Sequence, residues 1–368
     1  MPTTATEKKT VINGLMELFR NNRRWLLFFG TGTSCALDGD FGMAALAEYL
    51  RERLSGEPDW ASVEQELKAN ASLEQALETI SGQISRETES LFRKEIGDFV
   101  AEVDRRHRNK VLLGKDTWIG SSLLKALADP LPRLNPRLSV VTSNYDMLIE
   151  YACSALGLRW TTGFARGLVR SWDWEAAQDR LIKRQVDRTG SRSKQYYVPQ
   201  PRVELFKVHG SINRFKQDGR EIECDLWAKE PPDGIDRDIA VPGTLKHKHS
   251  SNDTTDMRGY VSRAERDAQA FLMAGYGFGD EHLHVPILER VRREKCPLVV
   301  LTLDLSDETI TELRKDAAPV WILLAGRSAV GKFDEARTTA YIPERSEPIT
   351  LDTALWKCDA FAKKIMGG

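Results

Sequence analysis

The sequence predicts an α/β fold built on a doubly wound parallel sheet, and two observations carry that expectation. First, short and largely apolar runs stand at Trp25–Phe29, Leu138–Val141, Ala270–Ala274 and Leu298–Leu303, with Val320–Leu324 as a fifth. Runs of this length without clean alternation suit strands buried on both faces of a parallel sheet. Second, some of them end in small or turn residues ahead of a helical pattern, as where Gly30–Ser34 leads to Met43, Leu46, Ala47, Leu50 and Leu54. Repeated strand, loop and helix is the order of a doubly wound sheet, whose ligands sit at the carboxyl ends of the strands. The loops after the apolar runs are therefore where chemistry is expected.

Two stretches stand outside this pattern. From about 58 to 135, Leu73, Leu77, Ile80 and Ile84, and then Phe92, Ile96, Phe99 and Val103, recur at helical spacing and predict an inserted helical subdomain. From about 159 to 202, ten basic residues face four acidic ones, and Gly190, Ser191 and Ser193 lie near the end. This second stretch reads as an exposed loop insertion. Its Trp160, Trp172, Trp174, Tyr196 and Tyr197 sit among cations as in a nucleic-acid surface, but Asp173, Glu175, Asp179 and Asp187 dilute the charge. A solvated or partner-facing loop is favoured over nucleic-acid contact.

Composition bounds the rest. The 368 residues are 41% hydrophobic and 29% charged, which excludes a disordered or collagenous chain, and the length fits one large domain or two smaller ones. The net charge of −1 gives no whole-chain field towards nucleic acid or an anionic membrane. The five cysteines, at 35, 153, 224, 296 and 358, include no C-x-x-C pair, so neither a disulfide framework nor a tetrathiolate zinc site is supported. The first twenty residues do not read as a signal peptide, and no apolar stretch approaches the roughly 20 residues that span a bilayer. A soluble, cytoplasmic protein without membrane contact is expected.

Gly30-Thr31-Gly32-Thr33-Ser34 follows the first apolar run directly. Glycines there would let backbone N–H groups approach a pyrophosphate, with a helix N-terminus behind them. The full G-x-G-x-x-G spacing fails at Cys35, and a tight strand-to-helix turn explains the segment equally well by itself.

Further blocks follow in order. Leu138–Val141 runs into Thr142-Ser143-Asn144-Tyr145-Asp146, Leu205–Val208 runs into His209-Gly210-Ser211, and Ala270–Ala274 runs into Gly275-Tyr276-Gly277-Phe278-Gly279-Asp280. Together with Gly30–Ser34 the set resembles the sirtuin-like NAD-consuming family, whose pattern is a G-A-G-x-S loop, a T-x-N-x-D strand end, an H-G-S histidine and a glycine-containing strand end near the cofactor. The resemblance implies a Rossmann-like sheet and a single NAD-binding domain over residues 1–368. It lacks the deacylases' zinc ribbon, since only Cys224 stands between His209 and Gly275, and it lacks their Gly-Ile-Pro-Asp-Phe-Arg stretch, where Asp38-Gly39-Asp40-Phe41-Gly42 stands instead.

What remains is similar to the bacterial sirtuin-like NAD hydrolases of anti-phage defence, nearest to the stand-alone subunit that works with a HerA-type hexameric ATPase. That resemblance implies cleavage of NAD to nicotinamide and ADP-ribose, no metal, a homo-oligomer and a HerA-type partner. It implies His209 as general base and Asn144 as the group that orients a ribose hydroxyl or water. Asp146 would hold the nicotinamide carboxamide, Gly30, Thr31, Gly32, Thr33 and Ser34 would face the phosphates, and Gly275 and Gly277 would leave room for the adenosine half.

Other readings compete. Asn144 and Asp146 could form an Asx-turn capping a helix near Met147. An NAD-dependent deacylase and an NAD or ADP-ribose binding module without turnover would want many of the same residues. Gly326-Arg327-Ser328-Ala329-Val330-Gly331-Lys332 after Val320–Leu324 has the spacing of a P-loop ATPase, but Phe333 stands where Ser or Thr must hold Mg²⁺. The pairs His247/His249 and His282/His284 have a spacing that ligates metal on a strand; the first reads as a solvated loop, and His107 has nothing around it to single it out.

Overall fold

The computed structural model describes residues 4–69, 72–80, 84–131, 136–179, 181–189, 192–243, 255–328, 331–343 and 345–367. Among these, one sheet of nine strands runs in the order β16 (Ile349–Leu351), β15 (Phe333–Tyr341), β14 (Val320–Arg327), β13 (Leu298–Thr302), β12 (Ala270–Ala274), β1 (Trp25–Phe29), β2 (Arg137–Thr142), β8 (Arg202–Lys207) and β3 (Trp160–Thr161). From β14 to β3 every neighbour pairs parallel, while β15 and β16 add antiparallel.

The apolar runs lack alternation because both faces of the sheet are covered. Trp25, Leu27 and Phe29 enter one core, and Leu26 and Phe28 enter the other. Ala270, Leu272 and Ala274 divide from Phe271 and Met273 in the same way. Each strand thus sends its odd and even side chains into two separate apolar layers.

Chain order reverses beside β1: β2 and then β8 build outward on one flank, and β12, β13 and β14 on the other. This is a topological switch point, where a doubly wound sheet opens a crevice. The register levels the rim, since Phe29 pairs with both Ala274 and Thr142, and Thr142 pairs with Lys207. The loops beginning at Gly30, Gly275, Ser143 and Val208 therefore leave at one height.

Between β1 and β2 lie α2 (Gly32–Cys35), α3 (Met43–Leu54), α4 (Trp60–Lys68), α5 (Leu73–Ile80), α6 (Arg86–Leu112) and α7 (Ser121–Ala128). Before them α1 (Ala5–Asn21) begins with a capping box between Thr4 and Glu7 and buries Val11 and Leu15. No described helix is long and apolar enough to cross a membrane.

The stretch 159–202 is not the loop that its charge suggested. It holds β3, then β4 (Phe164–Ala165) and β5 (Arg170–Trp172), a short helix at Trp174–Asp179, and a hairpin of β6 (Ile182–Thr189) on β7 (Arg192–Pro199). β4 and β5 join β9 (Gly210–Gln217), β10 (Arg220–Glu223) and β11 (Asp236–Ile239) in a second sheet. Trp174 stacks between Phe206 and Tyr260, with centroids 5.4 and 4.3 Å away, and Trp172 meets Phe164 edge-on. These rings serve the core, while Tyr196 and Tyr197 are exposed on the hairpin.

The P-loop alternative, already disfavoured by Phe333, is excluded by topology. β14 turns through a hairpin into β15, with Arg327 opposite Phe333, so no helix follows Lys332 to present its N-terminus to a phosphate.

Candidate active site

A cavity of about 460 Å³ opens at the switch point. Thr31 and Gly32 from the β1 loop, Ser143, Asn144, Tyr145 and Asp146 from the β2 loop, His209 after β8, and Gly275, Tyr276, Gly277, Gly279 and Asp280 after β12 line it. Phe41, Met43, Leu46, Phe99 and Val100 add an apolar wall from the helical layer. A mostly apolar cleft with a few convergent polar groups is the usual form of a small-molecule site.

Gly30, Thr33 and Ser34 stand one layer behind this wall. The amides of Gly30 and Gly32 donate to the carbonyls of Ala274 and Gly275, both at 2.9 Å, and those of Thr33 and Ser34 donate to Gly30 and Thr31. These four N–H groups are thus spent inside the protein, contrary to the expected phosphate cradle. The glycines serve a close crossing instead. A Cβ on Gly30 would lie 2.5 Å from the Gly275 carbonyl oxygen, and one on Gly275 would lie 2.4 Å from the Thr33 amide nitrogen. The Thr33 hydroxyl donates to the Gly30 carbonyl at 2.8 Å, and Trp118 Nε1 donates to the Thr33 carbonyl at 3.0 Å.

Asn144 is held from both sides. Its backbone amide donates to Thr142 Oγ1 at 3.1 Å, and its side-chain Nδ2 donates to the Gly30 carbonyl at 3.2 Å and to Ser34 Oγ at 3.0 Å. Ser34 gives its only proton to Asp146 Oδ2 at 2.8 Å, which leaves its lone pairs for Asn144. The chain of donors fixes the amide with Oδ1 as the remaining group, and that oxygen is buried with no hydrogen-bond partner among the described residues. An orphaned buried acceptor beside a cavity calls for a partner from outside the chain, an ordered water or a ligand donor.

Asp146 also accepts from the Leu148 amide at 3.1 Å, so an Asx-turn just ahead of the helix Leu148–Ala155 and the place on the cavity wall coincide in one carboxylate. Burial pushes this carboxyl above its ordinary range, opposed by the charge of Lys207 and the bonds from Ser34 and Leu148. Lys207, fully buried on β8, donates to Glu150 Oε1 at 3.0 Å, to Ser211 Oγ at 2.6 Å and to the Asp146 carbonyl. Asp104 of α6 accepts from the Met147 amide at 2.8 Å and from the Tyr151 hydroxyl at 2.6 Å, and burial raises it to about 7. Sequence reasoning missed this buried layer. Its one signal was Asp104 itself, on the apolar stripe of α6 four residues after Val100.

His209 is set by the backbone that follows it. Gly210 takes φ 85°, and a Cβ there would lie 1.9 Å from the Asp238 carbonyl oxygen, so only glycine fits. The His209 carbonyl accepts from the Ala240 amide at 2.9 Å. The imidazole Nε2 lies 3.0 Å from Asp280 Oδ2, and both side chains are 9% exposed. Asp280 caps the helix Glu281–Arg293 through Oδ1, which accepts from the His282 amide, and its carbonyl accepts from the Tyr276 hydroxyl at 2.8 Å. A second cavity, of about 260 Å³, shares His209 and Asp280 with the first.

The other histidines do not gather. His284 is buried against the Tyr276 hydroxyl at 3.2 Å, and burial lowers it from the usual imidazole range. His282 lines the second cavity. His107 pairs with Asp38 at 2.7 Å, and His247 and His249 lie outside the described residues. Among the described residues no group of His, Cys, Asp and Glu could hold a metal ion.

No family model and no curated protein matches this chain. Several solved structures are similar to it. A histidine-to-tyrosine mutant of Sir2 with a p53 peptide and NAD shares 11% identity over 97% of each chain, with a TM-score of 0.42. A Sir2 enzyme structure that addresses mechanism and regulation shares 11% identity over 82% of this chain and 90% of its own, at a TM-score of 0.39. Sir2Tm bound to a propionylated peptide shares 10% over 84% and 91%, at 0.38.

Proposed function

We propose that this chain is an NAD glycohydrolase that cleaves NAD to nicotinamide and ADP-ribose. The observation that supports the reading is that Asn144, Asp146 and His209, drawn from two strand ends, face one cavity at the switch point of a parallel sheet. Residues that came from separate sequence blocks meet where a dinucleotide is bound in such folds.

The charges of the cavity fit the nicotinamide–ribose end of this substrate. Glu74, Asp146 and Asp280 line it, and no Lys or Arg is among its described lining residues. Carboxylates around the cleft favour a cationic nicotinamide ring and the positive charge that develops on the ribose as the glycosidic bond breaks. The Asn144 carbonyl, already fixed, accepts from a ribose hydroxyl or from the attacking water and so sets its direction. His209 takes the proton of that water as it adds to the ribose carbon. Gly275 and Gly277, on either side of Tyr276, would leave room along that wall for the adenosine half. The expected phosphate contacts narrow to Thr31, since the Gly32 amide is engaged by the Gly275 carbonyl and the other members of the loop lie behind the wall.

In the cell this reading makes the protein an NAD-depleting effector of anti-phage defence, cytoplasmic, homo-oligomeric and controlled by a HerA-type ATPase. The deacylase alternative differs in its dependence on an acylated peptide. The test is nicotinamide and ADP-ribose production from NAD by the purified chain, with and without an acetylated peptide and a HerA-type ATPase. The expected result is peptide-independent release of both products in equal amounts. Release only with peptide, accompanied by an O-acyl product, would replace hydrolysis with deacylation.

A further inference from the structure

We infer that Asp280 is a positioning residue that holds the proton of neutral His209 on Nε2, so that Nδ1 is the nitrogen that works as the base. The inference deepens the proposed hydrolase, on which its catalytic part rests; the tautomer itself is independent of any activity.

The argument starts from the acceptor. A carboxylate 3.0 Å from Nε2 can only accept there, so a neutral imidazole keeps its hydrogen on that nitrogen and its lone pair on Nδ1. The carboxylate is itself anchored. Oδ1 is engaged by the His282 amide, the first turn of the thirteen-residue helix Glu281–Arg293 puts its positive end on the group, and Tyr276 ties down the Asp280 carbonyl. Asp280 leaves β12 and His209 leaves β8, so the pair joins the two flanks of the switch point and sets the ring relative to both cavities. The second carboxylate oxygen supports an imidazolium after proton uptake, with the proton returning to solvent or product when the cycle closes.

Glu74, Tyr145, Asp146 and Tyr276 share the first cavity with the pair, and Arg258, Glu265 and His282 share the second. These groups are common to the wild type and the variants below, so a difference isolates Asp280.

The test is ¹⁵N NMR of the histidine-labelled full chain across pH, with the His209 signals identified by their loss in His209→Gln, alongside nicotinamide release. In the wild type the proton lost on titration should be that of Nδ1. In Asp280→Asn the side-chain NH₂ can donate to Nε2 and turn the ring to the other tautomer. That variant should lose about 100-fold or more in kcat with little change in KM, as expected for a base in the wrong tautomer. The acid limb of its rate profile should move to lower pH, because the charge that favours the imidazolium is gone. Asp280→Ser keeps a helix cap, so its melting temperature should stay close to the wild type while kcat falls, which separates positioning from folding. A wild-type His209 that keeps its proton on Nδ1, or an Asp280→Asn enzyme with wild-type kcat and pH profile, would overturn the inference. A wild type that shows the Nε2–H tautomer, lost in Asp280→Asn, yet releases no nicotinamide would uphold the positioning and refute the hydrolase.

Discussion

Ser34 and Asp146, 112 residues apart in the chain, are joined by a 2.8 Å hydrogen bond in which the serine is the donor. The same oxygen accepts from Asn144, so Ser34 braces the β2 loop from behind the cavity. Ser34→Ala leaves a buried carboxylate oxygen and an amide hydrogen without this partner, which should cost about 1–3 kcal/mol in urea unfolding. It should also lower kcat by loosening Asn144 while leaving KM for NAD nearly unchanged. Unchanged stability with a raised KM would instead mark Ser34 as a phosphate ligand.

The crossing of the β1 and β12 loops allows no side chain. Gly30→Ala sets a methyl 2.5 Å from one backbone oxygen and 2.7 Å from the Tyr276 Cα, neither of which can turn aside. Overpacking of this kind costs about 1–3 kcal/mol. Thermal unfolding should detect the loss, and activity should fall with it because both loops line the cavity. A variant as stable and active as the wild type would contradict the tight crossing.

The buried pair of Lys207 and Glu150 predicts an asymmetric response. Lys207→Met strands Glu150, which is 2% exposed, and breaking such a pair costs about 3–5 kcal/mol. Adding Glu150→Gln should restore part of the loss, since an uncharged amide replaces an unpaired carboxylate. Denaturant midpoints of the two single variants and the double variant give the coupling, and strictly additive losses would show that the two charges do not depend on each other.

Asp104 predicts how stability changes with pH. Its folded value of about 7 stands above the unfolded value of about 4, so over that interval the folded chain holds a proton that the unfolded chain has lost. The contribution of Asp104 is fully present below about pH 4 and is lost as pH rises to about 7, at roughly 1 kcal/mol per pH unit. In Asp104→Asn the amide oxygen still accepts from Met147, and the amide nitrogen can donate to the Tyr151 oxygen. Stability of the variant relative to the wild type should therefore rise steadily from pH 4 to pH 7. Parallel curves would mean that Asp104 does not titrate in this range.

The parts of the fold that were legible in the sequence are those where burial is two-sided. β1, β12 and β13 appear as apolar runs because nothing polar is tolerated on either face. β8 was harder, because Glu204 and Lys207 are both buried there through ion pairs that no local pattern reveals. β15 was not legible because its first half is largely exposed and only Thr338 and Ala340 are buried, so no apolar run marks it as a strand. The tryptophans of 159–202 read as surface because their neighbours are charged, whereas their rings pack on Phe206 and Tyr260 from distant segments.

The site divides in the same way. Asn144, Asp146 and His209 were legible as strand-end residues, but the role of Gly30 and Ser34 was not, because backbone amides can be spent on a neighbouring loop without any trace in the sequence. Asp280 was visible as the end of a glycine-rich strand exit. Its pairing with His209 depends on which strands adjoin across the switch point.

The central claim is that one dinucleotide meets Asn144 and His209 in a single cavity, and nicotinamide release from NAD under conditions where the wild-type chain turns over tests it most directly. Asn144→Ala and His209→Ala should each retain the wild-type circular dichroism spectrum and lose roughly 100-fold or more in kcat. Wild-type turnover in either folded variant would contradict the account.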